Sequence, residues 1–175
     1  MKNLIIAISI FVLVIVSINF KDIVNLNNQD KFKTIKADLF TVEMRKKFTE
    51  FYKNASDAEI DKFIQEQVDA RASILPVHTG IGVTLYRITY LKRFNSVLYG
   101  YEVDGEALNV SEQELLASSD IIKYNFKEHH VNYFCTYPVI RMELDIGIKF
   151  EITILSKSSK YLTNYTITKD DCSSL

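Results

Sequence analysis

FCTYPVIRMELDIGIKFEITIL, residues 134–155, and NYTITKDDC, residues 164–172, form the stretch from which the rest of the chain can be read. Pro138 suits the first turn of a helix, because the N–H it lacks is one that a helix start leaves unpaired anyway. A short helix is therefore expected from Pro138 through Leu144, with Gly147 as its stop. Ile148, Phe150, Ile152 and Ile154 then alternate with Lys149, Glu151 and Thr153, the period of a strand with one buried face. Ser156 to Lys160 reads as a turn and Tyr161 to Thr168 as a returning strand. Cys135 and Cys172 stand at the two boundaries of this unit.

Upstream, Ser111 with Glu114 three residues later has the form of a capping box. It opens a helix-compatible stretch that runs to about Phe134, with a break or second cap at Ser118-Ser119-Asp120. Before it, Ile81 to Leu91 is rich in β-branched and aromatic residues and predicts a strand. Lys92 to Asn95 is the turn, and Ser96 to Val103 is the second strand of a hairpin. Val83, Leu85, Arg87 and Leu91 are expected on one face of the first strand and Thr84, Tyr86, Ile88 and Tyr90 on the other. His78-Thr79-Gly80 reads as a turn, and Leu75-Pro76 ends helical structure, since proline disfavours a helical residue before it. Ser56-Asp57-Ala58-Glu59 is another capping box and opens a helix that buries Ile60, Phe63, Ile64, Gln67 and Val68. Phe40, Met44, Phe48 and Phe51 repeat at helical spacing just before it. Grouped helices, hairpin, helix and hairpin predict an α+β fold: helices on a mainly antiparallel sheet of about four strands, two hairpins joined by a helix.

The domain boundaries follow. Met1-Lys2-Asn3 precedes an apolar run from Leu4 to Phe20, the pattern of an export signal. The run is near the minimum for a spanning helix. No good small-x-small cleavage site follows, so residues 1–20 read as a signal anchor, with a cleaved signal peptide as the alternative. Residues 21–37 read as a linker and 38–175 as a single domain. Lys21, Lys31, Lys33 and Lys36 after the span weakly favour the opposite orientation, but the cysteine pair favours an oxidising compartment. The expected location is the inner membrane, reached through residues 4–20, with the domain facing the periplasm or exterior. With a cleaved signal the chain would be periplasmic or secreted. A net charge of −1 over 175 residues leaves no global field to draw nucleic acid, so none is expected as a partner.

Chemistry is hard to find in the sequence. Two cysteines in an exported chain read most simply as one disulfide. Closing about 36 intervening residues would contribute up to about 4 kcal/mol by the loop-entropy model. The rival is a Cys135–His130 nucleophile pair, in which nothing fixes the histidine and Cys172 has no role. Glu128-His129-His130 is poorly spaced for a metal, since neighbouring helical residues diverge by about 100° and ligands sit best three or four apart; a solvated helix end is the reading kept. Arg141, Glu143 and Asp145 read as a solvated helix face. No phosphate loop, nucleophile elbow or zinc-type cysteine spacing occurs, and no cofactor or catalytic residue is assigned. The one basic-aromatic cluster is Tyr86, Arg87, Tyr90, Lys92 and Arg93. Tyr86, Arg87, Ile88 and Tyr90 are the candidate contact for a protein partner, on a Tyr-rich sheet face. The alternative is a small-ligand pocket between helix and sheet.

Leu75-Pro76, Tyr99-Gly100-Tyr101, Cys135-Thr136-Tyr137-Pro138, Gly147, Phe150 and Cys172 occur in an order that resembles a group of small exported bacterial envelope proteins of uncharacterised function. The resemblance spans residues 70–172 and rests on order and spacing. Two features depart from it: Phe150-Glu151-Ile152 replaces a Tyr-x-Tyr, and Ser156-Lys157-Ser158-Ser159 replaces an Asp-Gly turn. The resemblance implies export, a disulfide, an α+β fold and an accessory role in the envelope. It implies no activity.

Overall fold

A computed structural model describes residues 42–174; the proposed anchor at 1–20 and linker at 21–37 lie outside the described residues. In chain order the elements are α1 (Val42–Asn54), α2 (Asp57–Ala72), β1 (Val77–Gly80), β2 (Val83–Leu91), β3 (Ser96–Val103), α3 (Glu112–Ala117), α4 (Ser119–Thr136), α5 (Pro138–Asp145), β4 (Lys149–Ser156) and β5 (Tyr161–Ile167). Short 3₁₀ turns cover Lys92–Phe94 and Lys169–Ser174. No helix among the described residues is long and apolar enough to cross a membrane.

The fold is α+β, with one sheet ordered β1-β2-β3-β4-β5. Neighbours pair antiparallel except β3 and β4, which are parallel. That exception follows from the connection. Hairpins join antiparallel strands, but α3, α4 and α5 carry the chain back along one face before β4 begins, which brings β4 in parallel to β3. The fifth strand is β1. His78-Thr79-Gly80 was expected as a turn; instead Val77, His78 and Gly80 pair with Leu85, Thr84 and Val83. The turn lies at Ile81-Gly82, where Gly82 has φ +67° and a Cβ would come within 2.8 Å of the Asp104 carbonyl oxygen. Only glycine satisfies both conditions.

β4 shows the expected alternation. Phe150, Ile152 and Ile154 are fully buried, opposite Val97, Tyr99 and Tyr101 of β3 and Ile167, Tyr165 and Thr163 of β5. Against this face pack Ile64 and Val68 of α2, Ile122, Phe126 and Phe134 of α4, and Ile140 and Leu144 of α5. The Phe134 ring lies 4.8 Å from Phe150 and 5.4 Å from Tyr99. Phe48, Phe51 and Tyr52 of α1 surround Phe63 of α2 at 5.5–6.0 Å, an edge-on aromatic cluster that docks α1.

Local signals set the helix ends. Both capping boxes form: Ser56 and Ser111 accept from the amides of Glu59 and Glu114, whose carboxylates return to the cap amides. Ser118 ends α3 and starts α4, the break expected at Ser118-Ser119-Asp120. Pro138 opens α5, and Gly147, at φ +93°, follows its end.

Candidate functional site

The four residues read as a contact surface do not share a face. The β2–β3 ladder slips between Leu85 and Arg87: Leu85 pairs with Tyr101 and Arg87 with Gly100, so Tyr86 and Arg87 together oppose one residue. This is a β-bulge, and one extra residue shifts the alternation by one. Val83 and Leu85 therefore share the helix-covered face with Ile88 and Tyr90, which are each 8% exposed. Tyr86, 39% exposed, points to the other face, and Arg87 is also exposed. The expected grouping of Tyr86 with Ile88 and Tyr90 is corrected accordingly. Tyr90 is a core residue whose hydroxyl donates to Asp61 of α2 at 2.8 Å, and Asp61 also holds Lys92 at 2.7 Å.

Among the described residues, no helix covers the other face of the sheet. Tyr86, Lys149, Asn164 and Thr166 are exposed on it, and Thr84, Thr89, Leu98, Glu102, Glu151 and Thr153 are half-buried. Tyr86 lies flat across this face: a Cβ on Gly100 would sit 3.0 Å from Tyr86 Cζ and 3.0 Å from Arg87 Cβ. The glycine of Tyr99-Gly100-Tyr101 is thus the seat of the Tyr86 ring, and the neighbouring tyrosines turn inward. Arg87 Nε donates to Thr89 Oγ1 at 3.3 Å, which fixes the guanidinium stem beside that ring.

The groups most able to do chemistry are held inside. His130, expected at a solvated helix end, is buried. Its Nδ1 lies 2.6 Å from the Tyr165 hydroxyl and its Nε2 2.8 Å from that of Tyr101, so a neutral ring donates through one nitrogen and accepts at the other. Burial, with the neighbouring His129 as a lesser cause, lowers its pKa to about 3. Glu143, expected on a solvated face, is fully buried, and its two carboxylate oxygens accept from Arg71 Nη2 at 2.8 and 3.1 Å. Arg71 also donates to the Tyr99 hydroxyl at 3.1 Å. Burial pushes the Glu143 carboxyl up, and the guanidinium opposes it. Sequence position carried a signal for two of these residues, but not the partners that bury them. His130 continues the apolar row Ile122, Phe126, Phe134 at intervals of four, and Arg71 follows Ile64 and Val68 on α2.

Cys135 and Cys172 are joined in a disulfide, with Cα atoms 5.4 Å apart, tying the end of α4 to the turn after β5. In the Cys135–His130 alternative the histidine would serve as a base, but both of its ring nitrogens are engaged by tyrosines and the sulfur is in the disulfide. Among the described residues there is no cluster of three or more His, Cys, Asp or Glu able to hold a metal. On the surface, Glu112 of α3 bonds Ser156, Ser158 and Lys160 of the β4–β5 turn. Lys160 and the two hydroxyls lower its carboxyl to about 2.

No protein-family model and no curated protein matches the chain. Three solved structures do. The pilotin EpsS of the Vibrio vulnificus type 2 secretion system is 20% identical over 66% of this chain and 94% of its own, with a TM-score of 0.49. The type II secretion system pilotin AspS of Vibrio cholerae is 22% identical over 67% of this chain and all of its own, with a TM-score of 0.44. A Pseudomonas aeruginosa protein described as secreted is 13% identical over 68% of this chain and 99% of its own, with a TM-score of 0.52. The likeness to the Pseudomonas aeruginosa protein, at 13% identity, is one of fold.

Proposed function

We propose that this chain is a non-enzymatic envelope protein, held at the inner membrane by residues 4–20 with its domain outside, that binds another protein through the open sheet face around Tyr86 and Arg87. It would act as an accessory or immunity-type module, in keeping with the envelope group it resembles. One observation carries the reading. The ionisable groups suited to catalysis, His130 and the Arg71–Glu143 pair, are spent on internal bonds, whereas Tyr86 and Arg87 are presented on a face that no described helix covers. An exposed aromatic seated on glycine is a rigid contact that loses little side-chain entropy on binding, and an adjacent arginine supplies a directional charge. The space between α4 and the sheet is filled by the rings of Tyr101, Phe126, His130 and Phe134, so that face gives less support to the ligand-pocket alternative.

A photo-reactive phenylalanine placed at Tyr86 in the full-length, C-terminally tagged chain tests this in the native envelope. One dominant adduct is expected, read by mass spectrometry. It should be lost when Arg87→Glu is added, and absent when the probe sits at Glu66 on the far side of the helices. Equal labelling from both positions, or none from Tyr86, would sink the proposal. A secretion-system component in the adduct would put the chain among accessories of the pilotin kind.

A further inference from the structure

The two edges of the sheet are guarded very differently. On one edge, β1 spans only four residues, and the part of β2 that it leaves unpaired carries the bulge and Arg87. Short edge strands, bulges and charges are the devices that stop an edge from pairing with another chain. The other edge is β5, seven residues long with the sequence YLTNYTI. It has no charge and no proline, whereas β2, β3 and β4 carry Arg87, Glu102, and Lys149 with Glu151. Its ladder to β4 is regular from Phe150–Ile167 to Ile154–Thr163 and slips only near Tyr161. Among the described residues, no backbone group beyond that ladder bonds residues 161–167.

Exposed aromatic surface adjoins this edge. Tyr161, at the start of β5, is 56% exposed, and Tyr124 of α4 is 69% exposed. Lys127, one helical turn on from Tyr124, reaches Asp171 in the segment after β5, at 2.9 Å. The flank of α4 that carries Tyr124 is therefore the flank beside β5.

The geometry points to a second copy of this chain as the occupant: β5 pairs antiparallel with β5 of that copy about a two-fold axis at Asn164, joining two sheets into one. In this register Asn164 meets Asn164 and Thr163 meets Tyr165, on the stretch of β5 whose alternation is unbroken; the slip near Tyr161 lies outside it. A two-fold contact places the same patch on both sides, and here that brings no like charges together. A strand from a different protein would find no charged anchor on this edge to select it. The pairing is separate from partner binding at Tyr86, which lies on β2 at the other side of the sheet.

The test is sedimentation equilibrium of the full-length chain in mild detergent, over a range of concentrations, beside non-reducing electrophoresis of cysteine variants. The wild type is expected at twice the chain mass. Asn164→Lys, a change at an exposed position, should weaken dimerisation at least tenfold with the circular dichroism unchanged. Asn164→Cys should form a covalent dimer in the oxidising compartment, while Glu66→Cys on exposed α2 should not. Should Asn164→Lys not fold, the cysteine pair still decides the matter. A wild type that stays monomeric, an Asn164→Lys protein that stays dimeric, or an Asn164→Cys protein that forms no dimer or bonds a different protein would each overturn the pairing.

Discussion

His130 is a histidine used as a core residue. In the unfolded chain it takes up a proton near pH 6.5, whereas in the folded protein it does so only near 3. The unfolded state therefore binds more protons below 6.5. The stability this group confers is complete above pH 6.5 and is lost as the pH falls towards 3, by about 1.4 kcal/mol per unit. His130→Gln removes the titration. The stability gap between wild type and this variant, from urea unfolding, should narrow by about that amount per unit between pH 6 and 4; a constant gap would show that the buried ring does not titrate this way. Arg71 and Glu143 make an asymmetric pair. The carboxylate side chain is fully buried and the guanidinium 23% exposed. Arg71→Met strands a buried charge and should cost about 3–5 kcal/mol. Glu143→Leu leaves an arginine that can still reach water and should cost less. The double variant should recover much of the loss, and a double-mutant cycle by chemical denaturation measures it.

At the scale of elements, the capping boxes and the bulge do separate things. Ser56→Ala and Ser111→Ala each remove a cap acceptor and should cost about 1 kcal/mol in thermal or urea unfolding. The bulge decides which side chains of β2 are presented. Deleting Arg87 removes the extra residue and leaves Val83, Leu85, Ile88 and Tyr90 on the core face, so the protein should still fold cooperatively. Deleting Thr89 instead turns Tyr90 to solvent, because a one-residue slip exchanges the two faces. That variant should lose its cooperative transition by circular dichroism. If the two deletions behave alike, the bulge is not what sets the register.

For the molecule as a whole, the disulfide spans most of the second half of the fold. Cys135 and Cys172 are 37 residues apart in sequence, and the chain between them forms α5, β4 and β5. Replacing both with serine should lower stability by up to about 4 kcal/mol. For a domain of this size that corresponds to roughly 10–15 °C in melting temperature. The loss should appear in scanning calorimetry, and reductant should reproduce it in the wild type. A change of only a degree or two would mean that the core alone holds α4 to the end of the chain.

Read alone, the chain was most informative where physics is local. The caps at Ser56 and Ser111, the proline start of α5, the glycine stop and the alternation of β4 depend on neighbours within a few residues, and each was legible. So was the α+β class, because period and order carry it. Of the four residues read as a contact surface, Tyr86 and Arg87 are exposed, but Ile88 and Tyr90 are not. The bulge that separates them is created by pairing with Gly100 on another strand, and nothing in β2 itself marks it. β1 needed Leu85 opposite Val77 before it could be a strand. Glu143 and His130 look like surface residues until Arg71, Tyr101 and Tyr165 arrive from elsewhere in the chain. A charged or polar side chain can be buried only where distant groups satisfy it, so tertiary structure alone decided which of these residues face water.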